Sequence, residues 1–363
     1  MMKTISPVWL TRVGIFALAL SVFAACDDST GPDDDVDVEG TQAAVNQVVN
    51  QYFVSNPGIQ SLEIFGAQIS QALPSITPFN LSLVPGEASL HGLSERLLEN
   101  ISSVYMGRPS GSAPMAIPSE LLGTTFEWNA QTGQYEPGLR EGAPTNGVRF
   151  ILYDGIATLN EVGHLDFTDA SNFSVVPVAV DVTLSVVITN PDLGEVLHYR
   201  ITGSASDTGG TLLVDGFVSD GTDQLGFDFS FSGTDATGST AVFTLTAGTL
   251  SMTLDVSNST TGAGSISIEI INGDDEILFV LLVAADGTLQ SGSGIFFGNT
   301  PVAVFSGNIE NDDVTVTNSE GAPLTQAQLL ALAEIFVGIE QAFIIMEEIF
   351  ALGLILIGLS FAF

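Results

Sequence analysis

From about Leu121 to Thr317 apolar and polar residues alternate, and this period of two constrains the chain more than any other feature, because only strands turn successive side chains to opposite faces. Val176, Val178, Val180, Val182, Leu184, Val186 and Ile188 form one face, while Asp181, Thr183, Ser185 and Thr189 form the other. Leu197, Tyr199 and Ile201 repeat the pattern. Leu225, Phe227, Phe229 and Phe231 do so with aromatics, and Ile266, Ile268 and Ile270 do so again. Between residues 241 and 256 the apolar phase slips, from Ala241, Phe243 and Leu245 to Leu250, Met252, Leu254 and Val256. A bulge or turn is therefore expected at Ala247-Gly248.

Turn chemistry separates the runs: Asn190-Pro191-Asp192, Asp207-Thr208-Gly209-Gly210, Asp220-Gly221, Asn272-Gly273, Asp286-Gly287 and Asn311-Asp312. Asn-Gly and Asp-Gly favour tight hairpins, so neighbouring strands should pair in sequence order. The expected fold is mainly β. It is a long antiparallel meander of roughly ten to twelve strands, curled into a half-barrel or barrel or split into a sandwich. No helical crossover interrupts the alternation, which excludes Rossmann and TIM architectures.

The flanks have other periods. Thr41 can cap a helix carrying Val45, Val48, Val49, Tyr52 and Phe53, stopped by Asn56-Pro57-Gly58; Leu62, Phe65, Ile69 and Leu73 continue the pattern to Pro74. Six prolines between Pro74 and Pro118 predict an irregular wrapping segment with at most one short helix, near Leu93 to Ile101. At the other end, Thr325-Gln326-Ala327-Gln328 has the form of a capping box, and Leu329, Leu332, Ala333, Phe336, Ile339 and Phe343 follow at helical spacing. Beyond Glu348 the sequence IFALGLILIGLSFAF is apolar all round and must be buried somewhere. The expected divisions are 1–25 leader, 26–40 acidic tether, 41–118 helical and Pro-rich segment, 119–318 β domain and 319–363 C-terminal helix.

Lys3 and Arg12 precede an apolar or small run from Val13 to Ala25, too short for a stable membrane span, and Cys26, the sole cysteine, follows directly. Ala24-Ala25-Cys26 resembles the lipobox of bacterial lipoprotein precursors. Phe23 departs from the usual Leu of that motif. The resemblance covers about the first 30 residues and implies removal of the leader and acylation of Cys26, with the protein tethered in the cell envelope, facing the periplasm or the exterior. A lipid thioether also removes the liability of a free thiol in an exported protein. Several acyl chains at ~0.8 kcal/mol per buried methylene anchor a protein stably, where one chain holds it only marginally. Asp27 matches the position of the inner-membrane retention signal of enterobacterial lipoproteins. Asp27 to Gly40, half acidic and without a hydrophobic cluster, reads as a self-repelling tether of up to ~45 Å.

Without the leader, Arg96, Arg108, Arg140, Arg149 and Arg200 face 42 acids, five against 42, a net charge of −37. Nucleic-acid binding needs a basic face, which this composition does not provide. His91, His164 and His198 are isolated from one another in sequence, with no zinc spacing and no Gly-x-Ser-x-Gly elbow. Gly262-Ala263-Gly264 and Gly292-Ser293-Gly294 read as strand-end glycines rather than a dinucleotide loop. Asp220/Asp223 and Asp274/Asp275 are acid pairs that could approach a cation, although acids in turns are ordinarily solvated. No catalytic residue, metal site or cofactor is expected. The reading is a non-enzymatic, membrane-tethered lipoprotein with a structural or interaction role and an unidentified protein partner. The alternatives are a carrier holding a hydrophobic ligand in a β half-barrel, resembling the periplasmic lipoprotein carriers in architecture alone, and an outer-membrane barrel. The scarcity of Tyr and Trp belts weighs against the last.

Overall fold

Alternation becomes sheet almost everywhere the sequence calls for it. The computed structural model describes residues 38–57, 59–61, 64, 65, 68 and 117–325, apart from 156, 157, 171, 176, 177, 207, 208, 235 and 312. The leader, Cys26, the tether before residue 38, His91, nearly all of the Pro-rich segment and the C-terminal helix lie outside the described residues.

Two compact units divide the chain, meeting between Asp228 and Phe229. In the first, β1 (Thr124–Asn129), β2 (Gln134–Pro137), β3 (Gly147–Tyr153), β4 (Glu161–Asp169), β5 (Asn172–Val175), β6 (Val178–Asn190), β7 (Gly194–Ser206) and β8 (Gly209–Ser219) lead into β9 (Gln224–Thr234). The second holds the end of β9 and then β10 (Gly238–Ala247), β11 (Leu250–Asn258), β12 (Gly264–Asn272), β13 (Asp275–Val283), β14 (Gly294–Phe297), β15 (Thr300–Asn308) and β16 (Asp313–Thr317). Hydrogen-bonded neighbours run β16-β15-β14-β13-β12-β11-β10-β9-β8-β7-β6-β4-β3-β1-β2, with β5 paired to β6 beside that path. The end strands β2 and β16 are not paired with each other, so the sheet is open and the expectation of a barrel is corrected.

From β6 onward every neighbour is next in sequence, as the turn signals require. The exception lies at the start. β1 pairs antiparallel with β2 and parallel with β3, so the sheet is mixed rather than a pure meander. The connection from Gly138 to Asn146 carries the chain past β1 instead of turning it back, and the turn at its end, where the Gly147 N–H donates to the Pro144 carbonyl at 3.1 Å, leads into β3. β5 and β6 pair antiparallel up to Val175 opposite Val178, and Val176, where the long strand was expected to begin, lies outside the described residues. The phase slip at Ala247-Gly248 is a hairpin turn: Ala247 pairs with Leu250, and Gly248 adopts φ +58°.

Burial follows the pattern closely. On β9, Leu225, Phe227, Phe229 and Phe231 are at most 4% exposed, while Asp228 and Ser232 face water. β3 differs, since Phe150, Ile151, Leu152 and Tyr153 are all buried, which requires both its faces to be covered. Before the sheet, α1 (Val38–Val49) buries Thr41, Val45 and Val49, and a π-helical turn at Asn50–Val54 follows, closed by the Ser55 N–H on the Asn50 carbonyl at 3.0 Å. The helix starts three residues before the boundary expected at Thr41.

Gly307 on β15 is required twice over. It has φ +111°, and a Cβ there would meet the carbonyl oxygen of Asp313 on β16. Gly298 also has a positive φ, +55°, yet a Cβ there meets nothing. Gly307→Ala is expected to cost about 2–3 kcal/mol in urea unfolding and Gly298→Ala about 1 kcal/mol, because only the first adds a backbone collision to the left-handed conformation. Equal losses at the two positions would remove the collision from this account.

Candidate functional site

The densest group of aromatic and polar side chains lies where Phe65 and Gln68 meet β1, β2 and β3 in the first unit. Parallel pairing sets Phe126 opposite Phe150, and the β1–β2 hairpin sets Trp128 opposite Tyr135. Their rings form a continuous cluster. Phe126 stacks on Phe150 at 5.2 Å, Tyr135 meets Trp128 at 5.5 Å and Phe150 at 5.4 Å edge to face, and Phe65 meets Tyr135 and Phe150 at 5.5 and 5.3 Å. Such pairs contribute about 0.5–1.5 kcal/mol each beyond area burial.

The Tyr135 hydroxyl lies 2.9 Å from both Gln68 Oε1 and the Ile151 carbonyl. A phenol carries one proton and cannot donate to two acceptors. Reversing the Gln68 amide lets its NH2 donate to Tyr135, which donates to Ile151; the otherwise unpaired Gln68 Nε2 then has an acceptor. Burial holds the Tyr135 phenol far above its ordinary range, so it remains a neutral donor. This chain of bonds is a fastening for the N-terminal segment.

Beside it runs a charged strip. Arg149 on β3 donates two bonds, at 2.6 and 2.7 Å, to Asp166 directly opposite on β4. Arg140 bridges Glu127 at 3.2 Å and Glu161 at 2.6 Å. His164 Nε2 stands 3.8 Å from Asp166. Desolvation pushes this imidazole below its usual pKa, Arg149 adds to the effect, and the nearby carboxylates only partly oppose them, so His164 is neutral at pH 7. Arg200 on β7 pairs with Asp215 on β8 at 3.1 Å. Each of the three described arginines is therefore bound to a carboxylate. His198 sits 3.4 Å from Glu195 and against the Phe217 ring at 5.7 Å.

The acid pairs singled out in the sequence have structural work. Asp220 Oδ1 accepts the N–H groups of Thr222 and Asp223, both at 2.8 Å, and Oδ2 accepts Gln51 Nε2 at 2.7 Å. These bonds hold its carboxyl below the usual range, the Asp223 N–H contributing most. Asn56 Nδ2 donates to the Ser219 carbonyl at 2.7 Å, so one turn latches the helical segment at two points. Asp274 and Asp275 occupy the β12–β13 turn, where Asp275 pairs with Asn272. Among the described residues no group of three or more His, Cys, Asp or Glu converges as metal ligands would. Gly262 has φ +90° in the β11–β12 turn. Ser293 is bonded to Leu282 across the strands, its hydroxyl accepting the N–H at 2.9 Å. Both glycine runs are strand-end devices.

Asp169 was not singled out by the sequence. It is 1% exposed and accepts the Ile117 N–H at 3.1 Å, pinning the chain as it enters the β domain. Gln51, Asn56 and Gln68 were likewise missed, since their partners lie 169, 163 and 67 residues away and local pattern carries no trace of them. Comparison with protein-family models, with curated proteins and with solved structures finds no match to this chain. No helix among the described residues is long and apolar enough to cross a membrane.

Proposed function

We propose that the chain is an extracytoplasmic lipoprotein, held on a membrane by acyl chains on Cys26, with a non-enzymatic structural or interaction role. The observation that carries this reading is the sole cysteine placed directly after an apolar leader and before an acidic tether. The paired arginines fit it, because a body with no free described cation and a large acid excess is repelled by anionic headgroups and stands off the surface that anchors it. An outer-membrane barrel fits less well, since a spanning sheet must close to satisfy its edges in lipid and this strand order is open.

Cys26→Ser is expected to leave the thermal unfolding midpoint unchanged while moving the protein from the membrane fraction to the soluble one. Intact mass of the wild type should show the added acyl groups. A Ser variant that stays on the membrane, with no acyl mass on the wild type, would remove the tether and make residues 349–363 the anchor to examine.

A further inference from the structure

The chain carries two Asn-Gly pairs, Asn146-Gly147 and Asn272-Gly273, and the fold treats them differently. In such a pair the glycine nitrogen, unobstructed by a Cβ, can close onto the asparagine side-chain amide when that nitrogen is open to water and base. Gly147 is buried at the head of β3, and its N–H donates to the Pro144 carbonyl at 3.1 Å. Asn146 is held by Asp169, its carbonyl accepting the Asp169 N–H at 3.0 Å and its side-chain amide lying 3.5 Å from the Asp169 carbonyl. Strand β4 closes over the glycine as well, since a Cβ on Gly147 would meet the Phe167 carbonyl oxygen. Gly273 is the reverse case. It is exposed in the β12–β13 turn that joins Asn272 to Asp275, it has φ +65°, and a Cβ there would meet nothing. Thr249 reaches this pair from the β10–β11 turn. Its hydroxyl donates to Asn272 Oδ1 at 3.3 Å, and its carbonyl accepts the Gly273 N–H at 3.3 Å, a bond longer than usual.

We propose that Asn272 is a self-modification site, assisted by Thr249, at which the side-chain amide is converted to aspartate or isoaspartate through a succinimide. The reagents are the chain itself, hydroxide and water. Hydroxide takes the Gly273 N–H proton, and the nitrogen forms a bond to Asn272 Cγ. The Cγ–Nδ2 bond then breaks, and ammonia leaves with a proton from water, which regenerates the hydroxide. Water adds to one of the two ring carbonyls and opens the ring, giving aspartate or, at the main-chain carbonyl, isoaspartate; nothing is oxidised or reduced. The Thr249 hydroxyl, already on Oδ1, draws charge from Cγ and stabilises that oxygen as it becomes negative during attack. The product acts on the sheet. Asn272 pairs with Asp275, so a carboxylate at 272 directly opposes a like charge. Isoaspartate also adds a main-chain carbon to a turn whose length fixes the register of β12 on β13. Age therefore adds a negative charge and loosens one hairpin.

The test incubates the purified full-length chain in heavy-oxygen water at pH 7 and pH 9, folded and in denaturing urea, and follows both pairs by peptide mass mapping. In the folded chain label should enter at Asn272 at least about tenfold faster than at Asn146, which reacts only when β3 opens locally. Uptake at Asn272 should be faster at pH 9, because base makes the attacking nitrogen. In urea the two pairs should react at similar rates, since the fold makes the difference. Thr249→Val should slow uptake at Asn272 several-fold in the folded chain and leave it unchanged in urea, while Thr249→Ser keeps the wild-type rate. Slow uptake at Asn146 in each variant shows that it is still folded. No label at Asn272 in the folded chain, equal uptake at the two pairs there, or a preference for Asn272 that persists in urea overturns the proposal. So does a folded Thr249→Val chain that reacts as fast as wild type.

Discussion

Phe229→Asp is expected to leave the protein unfolded at 25 °C. The ring is 3% exposed on the buried face of β9, so its removal costs about 3–5 kcal/mol, and the carboxylate that replaces it enters an apolar layer with no described cation on that face to pair with. Together these approach or exceed a total stability of about 5–15 kcal/mol. Asp228, one residue earlier, points the other way. It faces water, and partial burial together with the neighbouring Asp215 raises its carboxyl above the usual range. A raised carboxyl pKa means the charged form is disfavoured by folding, so at neutral pH Asp228→Ala should be within about ±0.5 kcal/mol of wild type, with any change toward greater stability. Circular dichroism and urea titration of the two variants check this. Similar losses at 228 and 229 would refute a strand with one wet face.

That contrast was legible in the sequence because alternation and burial are the same fact seen twice. Leu225, Phe227, Phe229 and Phe231 read as one face and are one face; Val186 and Ile188 behave likewise on β6. All six turn signals fall between strands, and pairing in sequence order from β6 to β16 followed from them. The strand number did not. β1, β2, β5, β14 and β16 run four to six residues, too short to display a period, and they account for most of the excess over ten to twelve. The parallel pairing of β1 with β3 was hidden because the two strands are separated in sequence by the whole of β2 and its connections, and such a pairing leaves no local signature. The polar fastenings were hidden for the same reason. Asp220 looks like an ordinary turn acid until Gln51, 169 residues away, is found on its second oxygen. Tyr199 looked like one more apolar residue in an alternating run, and only its burial without a partner distinguishes it.

The largest loss of solubility is expected from deleting the residues after Leu352. In the unit of β1–β8, Phe150, Leu165, Ile188, Leu197 and Leu225 are each at most 2% exposed, all from one sheet. A sheet face stays dry only beneath a second layer, and the described helical residues of that unit fall between 48 and 68. Residues 349–363 suit the remaining need by composition, being apolar all round, and they suit a membrane poorly. As a helix they would span ~22 Å against a hydrocarbon core of ~30 Å, with Glu347 and Glu348 at its edge. Burying Leu354, Leu356, Leu359 and Phe361 would contribute roughly 1.5–3 kcal/mol each before chain entropy is counted. The shortened chain should therefore expose apolar surface on its sheet, bind a hydrophobic dye, and elute as aggregate in size-exclusion chromatography. If it instead remains monomeric and unfolds at the wild-type urea midpoint, the tail lies outside the core, and its apolar surface must be meant for lipid or for another protein.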